Sequence, residues 1–369
     1  MSIEKMNKEL PQPLMSGLAY AYGLPSCSGI YKQKPEDFLV EEQIAFELSG
    51  EGEHLWCWVE KTGENTDWVL QQLAKWAGVS PARIGVAGQK DRHAVTRQWF
   101  SIQLPGQSDP DPEALGLDSV RILKMQRHQR KLQTGGLSGN RFELVVRDIH
   151  GECETLEQRL LAIQQGGVPN YFGEQRFGYQ GRNLNKATEF LSGKLQRVKR
   201  NQKSMYISSA RSWLFNLVLS QRVQKGDWNH FVSGDVLQLE GSSRWFSEDG
   251  SSDLSQRVEE GDLHPTGPMF GRGELPSQGS VRDLEEQVMQ SYEVWRDGLE
   301  RLGLKQDRRA LRVLPKNISW VLKTDTLSLQ FELPAGSYAT MVMREIMKVE
   351  DAQIQHKERG SRPPETPTS

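Results

Sequence analysis

GVAGQKDRHAVTRQWFSIQ, residues 85–103, reads as a strand, a polar loop and a second strand. The loop, Gly88-Gln89-Lys90-Asp91-Arg92-His93, sets one carboxylate among cations. Neighbouring positive charge favours the ionised form of an Asp. An ionised, positioned Asp91 can act as a nucleophile or stabilise a developing cation. The same residues would also serve as the charged tip of a surface turn.

Working outward, residues 66–77 (TDWVLQQLAKWA) predict a short helix with Thr66 as its cap, Gly78 as its stop, and Trp68, Leu73 and Trp76 on one side. Ser80-Pro81 reads as a further helix start. Residues 97–104 and 142–149 read as strands, and 155–165 as an amphipathic helix stopped by Gly166-Gly167. Helices are expected at 183–193, 205–225 and 281–302, and mostly loop in the Gly-, Ser- and Pro-rich stretch 242–280. Strands return at 310–314, 318–323 and 326–333, followed by a helix over 337–349. That order suits an α+β core interrupted by an insertion, with 1–165 and 313–369 forming the core and 166–312 the inserted domain. Residues 1–13 and 357–369 read as loose ends.

The 369 residues carry 46 Lys+Arg against 48 Asp+Glu, a net charge of −2, which excludes a uniformly basic polycation. The sum hides segregation. Residues 121–147 hold seven Lys/Arg and one acid, and 182–211 hold eight and one. Blocks 31–53, 247–262 and 283–300 are acidic. The basic blocks suit phosphate contact, or else are solvated faces balanced by nearby acids. No signal peptide or run long enough to span a membrane is read, so a cytoplasmic location is expected. Cys27, Cys57 and Cys153 lie far apart without CxxC spacing and are expected to be reduced thiols. The seven His are scattered, and no metal site is expected. Phosphate-binding glycine loops and serine or cysteine nucleophile signatures are absent.

Three further segments carry possible chemistry. GGLSGNRF, 135–142, offers Asn140 to a base edge or to an Asp, or is a flexible entry to a strand. PNYFGEQRFG, 169–178, suits base stacking through Tyr171, Phe172 and Phe177, or equally supplies core wedges. FELPAGSYATMVMREI, 331–346, places Gly336-Ser337 and Tyr338 at a helix start that can host an anion, or simply provides a Ser cap.

Taken together, KQKPEDFLVEE (32–42), AGQKDRHAVTRQ (87–98), GNRF (139–142), NYFGEQRFG (170–178), HPTGPMFG (264–271) and LPAGSYAT (333–340) resemble the tRNA pseudouridine synthase D (TruD) family. The resemblance covers most of the chain. It implies a pseudouridine-synthase core, with a mixed or antiparallel sheet and flanking helices, plus an inserted α/β TRUD-type domain. It implies conversion of uridine to pseudouridine in tRNA, notably at uridine 13 of glutamate tRNA, with no metal or organic cofactor. Asp91 matches the family's catalytic Asp, Phe38 the Phe of its P-x-D-F motif and Asn140 the Asn of its G-N-x-F motif. Tyr338 matches an aromatic position often held by Phe. Lys32, Phe38, Asn140 and Tyr338 are therefore expected at the substrate, with tRNA as partner and no membrane. Lys32, Lys90 and Arg92 are candidates to keep Asp91 ionised or to contact phosphate. The chain is expected to be a monomer. Two alternatives remain: a non-catalytic RNA-binding or chaperone protein on the same scaffold, and a glycosidase-like enzyme pairing Asp91 with Glu41.

Overall fold

A computed structural model describes residues 14–133, 135–248 and 250–353, so the expected loose ends at 1–13 and 357–369 lie outside the described residues. The chain forms two compact units. One comprises residues 26–156, 315–336 and 347–353. The other comprises 14–25, 157–314 and 337–346, so residues 166–312 lie wholly within it.

The first unit is built on a ten-stranded mixed sheet. Its strands are β1 (Cys27–Tyr31), β2 (Phe38–Gln43), β3 (His54–Thr62), β4 (Ile84–Val86), β5 (Val95–Gln103), β6 (Val120–His128), β7 (Gly139–Gly151), β8 (Lys316–Leu322), β9 (Thr326–Pro334) and β10 (Lys348–Asp351). The main path runs β8-β9-β7-β2-β5-β3-β6; β1 pairs with β7 and β10, and β4 with β5. The 13-residue β7 is the spine, since it pairs with β1, β2 and β9. The helix α1 (Thr66–Trp76) covers one face. Period-2 alternation sends Leu55, Cys57 and Val59 of β3 to that face, where they meet Val69 and Leu73 of α1 and Phe100 and Ile102 of β5. The buried side of α1 is thus Val69, Leu73 and Ala74; Trp68 is exposed, which corrects the expected Trp68-Leu73-Trp76 stripe.

The other unit is organised around the 26-residue helix Arg200–Lys225, flanked by Arg182–Leu191, Gly279–Gln290 and Glu293–Arg301. Tyr171, Phe172 and Phe177 are buried in its core beside Trp213 and Phe215, so their role is packing. The expected single helix over 281–302 breaks at Tyr292, which leaves helical dihedrals (φ −130°, ψ 40°) and packs its ring on Trp295. The stretch 242–280 is more ordered than its composition predicts. It contains strands Trp245–Ser247 and Leu263–Met269 and the helix Leu254–Glu259. Two prolines and a glycine disguise Leu263–Met269 as loop. The strand tolerates them because it changes partners at Pro265–Thr266, from Val236–Leu239 to Asp307–Ala310.

Two of the three cysteines are not free thiols. Cys27 and Cys153 form a disulfide across 126 residues of sequence, and Cys57 alone is free and buried. Sheet register brings the pair together: Cys27 lies opposite Gly151, two residues before Cys153. Spacing along the chain carries no trace of that pairing. No helix among the described residues is long and apolar enough to cross a membrane.

The sheet core rests on ring packing, with Phe331 of β9 fully buried and stacked on Phe142 of β7 at 5.5 Å between centroids. Phe331→Ala is expected to destabilise the sheet unit by about 3–5 kcal/mol, read as a lowered urea midpoint.

Candidate active site

β4 and β5 end and begin on either side of the polar loop, so residues 87–94 sit at the starting end of the interior strand β5. Contacts from β3, the turn after it and α1 anchor that loop from outside, among them Gln89 Nε2 donating to Asp67 at 2.7 Å. The Lys90 N–H donates to Thr66 Oγ1 at 3.0 Å, and Thr66 in turn donates to buried Gln98 at 3.1 Å. Thr66 is therefore a loop anchor rather than the expected helix cap; Asn65 stands at the cap position. Lys61 Nζ donates to the Asp91 carbonyl at 2.9 Å, and Arg92 Nε to the Gly63 carbonyl at 3.2 Å.

Lys32 reaches the Asp91 carboxylate directly, and the His93 N–H donates to its other oxygen at 3.0 Å. Burial alone would raise the carboxyl pKa. The Lys32 charge and hydrogen bond, with the His93 contacts, more than reverse this and hold Asp91 below the usual carboxylate range. Asp91 remains partly exposed, with 36% of its side chain accessible, whereas the Lys32 side chain is 7% exposed. Lys32 follows β1 directly and turns the chain with a left-handed φ of 57°, a conformation costly for a residue with a Cβ. Its ammonium lies 4.4 Å from the centroid of the Phe38 ring and 3.5 Å from the Asp351 carboxylate.

Asn140 belongs to a neighbouring cluster. Lys90 Nζ donates to Asn140 Oδ1 at 3.0 Å and pairs with Glu42 at 2.9 Å. Glu42 and Asn140 are cross-strand partners on β2 and β7. Glu42 is fully buried and its other oxygen accepts from the Trp99 N–H. Burial pushes its pKa up, opposed by Lys90. A lysine can only donate, so Lys90 fixes the amide oxygen of Asn140 toward itself and turns the NH₂ end away.

The structure thus brings Lys32, Phe38 and Asp91 together, and sets Asn140 beside Lys90. Lys90 and Arg92 do not pair with Asp91 as the sequence suggested; they bind Asn140 and Glu42, and Gly63, respectively. Tyr338 belongs to the other unit, where its ring packs on Phe172 at 6.0 Å. Ser337, expected as a cap, donates to Asn170. Glu41 is held by Arg97 and Arg141. Lys61, Thr66, Glu42 and Asp351 escaped sequence reasoning. The strand alternation through Leu55, Cys57 and Val59 was a usable signal for Lys61, because it carries residue 61 to the same buried face. A cavity of about 750 Å³ lined by Phe46, Trp56, His128 and Arg130 includes none of these residues. The convergence of charge, rather than cavity size, marks the site.

Lys32→Met is expected to raise the Asp91 pKa. In the wild type a depressed carboxyl stabilises the fold above its unfolded value of about 3.9, and that contribution is lost as pH falls through the folded value. In the variant, with burial no longer offset by Lys32, most of that contribution should be absent even at neutral pH. Carbon-13 NMR titration of the Asp91 carboxyl checks this; an unmoved midpoint would refute the assignment to Lys32.

The family model of tRNA pseudouridine synthase D (TruD) matches residues 15–186 and 182–346. The chain is 57% identical over 342 residues to a tRNA pseudouridine synthase D of Hydrogenovibrio crunogenus, covering 92% of this chain and 99% of that relative. It is 47% identical over 341 residues to one from Aeromonas hydrophila, covering 92% and 96%. The crystal structure of a Methanosarcina mazei chain has the same fold, with a TM-score of 0.69 at 24% identity over 92% of this chain and 98% of that one. With its two halves both matched and nearly the full length of its relatives covered, this chain belongs to the tRNA pseudouridine synthase D (TruD) family.

Proposed function

We propose that this enzyme isomerises uridine to pseudouridine at position 13 of glutamate tRNA, with Asp91 as its catalytic carboxylate acting on a flipped-out base. Membership of the family supports tRNA pseudouridine synthase activity. The observation that supports the finer reading is the partly exposed Asp91 carboxylate, held ionised by a buried lysine on a loop anchored from three sides.

The reaction breaks the N1–C1′ bond, rotates uracil and joins C5 to C1′. An ionised Asp91 supplies the group that attacks C1′ or the ring, or stabilises the sugar cation. Extruding the base costs a few kcal/mol, and ring packing from Phe38 and Tyr338 is our candidate to offset it. Asn140 presents its NH₂ end as a donor, which suits a uracil carbonyl. Lys32 acts through Asp91. The enzyme works as a monomer without metal or organic cofactor in this reading, with 166–312 an inserted domain on a core of 1–165 and 313–369. The hydrolytic alternative needs a second free acid, and Glu41 is engaged by two arginines.

The two basic blocks differ. In 121–147, Arg121, Arg127, Arg141 and Arg147 are paired with Glu60, Asp109, Glu41 and Asp37. In 182–211, Lys194, Arg197, Lys199, Arg200 and Lys203 are exposed and form no ion pair among the described residues. This second ridge is the better phosphate contact.

Asp91→Asn is expected to keep tRNA affinity within about twofold while abolishing turnover, measured as tritium release from C5-labelled uridine. Retained release refutes Asp91 as the catalytic group, and free uracil indicates hydrolysis. Reversing Lys199, Arg200 and Lys203 to Glu should weaken tRNA binding and flatten its dependence on log salt by roughly 0.7–0.9 for each phosphate no longer neutralised. An unchanged slope places this ridge off the RNA path.

A further inference from the structure

We infer that Lys61 is a positioning residue for the reaction, holding the main chain of Asp91 from beneath the loop; the inference rests on the reading of Asp91 as the catalytic group. Leu55, Cys57, Val59 and Lys61 share one face of β3, the face covered by α1. Three of the four are apolar. The fourth is a lysine with no exposed surface. Lysines are almost never fully buried unless paired, and Lys61 has no carboxylate ion partner among the described residues. Its ammonium instead donates to two main-chain carbonyls, Glu64 at 2.7 Å and Asp91 at 2.9 Å. One closes the turn after β3; the other belongs to the residue whose side chain faces Lys32. With that carbonyl held by Lys61 and the carboxylate by Lys32, Asp91 has little freedom to rotate.

The site is also charged in a way that a filler would not be. Glu64 from the turn, and Asp91 and Lys90 from the loop, face Lys61; Arg92 lies over the same turn on Gly63, and Lys32 faces the Asp91 carboxylate. Burial pushes the Lys61 pKa down to about 8, against Asp91 and Glu64, with Lys90 adding to the fall. Lys61 is therefore charged at neutral pH and loses its proton as pH rises through about 8. The neutral amine still donates hydrogen bonds, but the positive charge beside Asp91 is gone.

The test compares wild type, Lys61→Met and Lys61→Gln in single-turnover tritium release, from about pH 6.5 to 9.5. Both variants should lose about tenfold or more in saturated rate, while the half-saturating concentration stays within about twofold. The ratio of wild-type to Lys61→Gln rates should be largest below pH 8 and shrink above it. Titration of the uridine itself cancels in that ratio. A Lys61→Gln rate within about twofold of wild type at neutral pH, or a ratio constant across the range, overturns the inference. Should Lys61→Met fail to melt cooperatively, Lys61→Gln alone decides. Asp91→Asn run in parallel separates the two readings. Turnover in Asp91→Asn removes the basis in Asp91. An inactive Asp91→Asn beside a wild-type-like Lys61→Gln refutes Lys61 alone.

Discussion

The ion pair between Lys32 and Asp91 constrains much of the sheet unit. A carboxylate offsets the cost of burying the charge of a lysine 7% exposed, and that group arrives from 59 residues further along the chain. For the two to meet, the end of β1 must be fixed relative to the start of β5. No ladder joins them directly. The link runs from β1 through β7 and β2 to β5, so β7 has to pair with both β1 and β2. The parallel pairing of β1 with β10 adds Asp351 opposite Tyr31 and puts a second carboxylate near Lys32. A slip of one residue in any of these registers would turn the paired side chains to the opposite face.

Around this pair, each loop contact restrains a different degree of freedom. Thr66 holds the N–H of Lys90, Lys61 the carbonyl of Asp91, and Lys32 the carboxylate. Lys90, released from the ion-pairing role its position suggested, reaches Glu42 and fixes the polarity of Asn140. Adjacent residues in the loop therefore serve separate clusters. The contacts of Lys90 with Glu42 and Asn140, and of Asp91 with Lys32 and the His93 N–H, show this separation directly.

The polar loop 88–93, its flanking strands and α1 are legible in the sequence because each has strong local signals: a polar run between apolar strands, and a 3.6-residue period ended by glycine. What depends on register is hidden there. Cys27 and Cys153 are joined by pairing of β1 with β7, and nothing in their spacing says so. Asp351 reads as lying just past the end of a helix, but that helix stops at Ile346 and β10 takes over. Thr66 has the composition of a cap, but Asn65 holds the cap position and the Thr66 hydroxyl donates to buried Gln98, because buried polar groups on the helix-covered face need partners. Glu42 belongs, by sequence, to an acidic block. Alternation along β2 buries it with Phe38 and Val40.

The distribution of positive charge follows the same logic. Most arginines of 121–147 lie on strands and find acids within the same unit: Arg121 and Arg141 lie directly opposite Glu60 and Glu41, and Arg127 and Arg147 reach Asp109 and Asp37. Their charge is spent within the fold. Lys199, Arg200 and Lys203 stand instead at the first turns of the helix Arg200–Lys225, which has no acidic residue there. Cations at that end oppose the helix dipole, at a cost of about 0.3–1 kcal/mol each. An arrangement that weakens its own helix, and leaves its charges unpaired, is intelligible if a polyanion completes it. The net charge of −2 is therefore compatible with binding RNA, because the acids that balance the total lie elsewhere in the sequence.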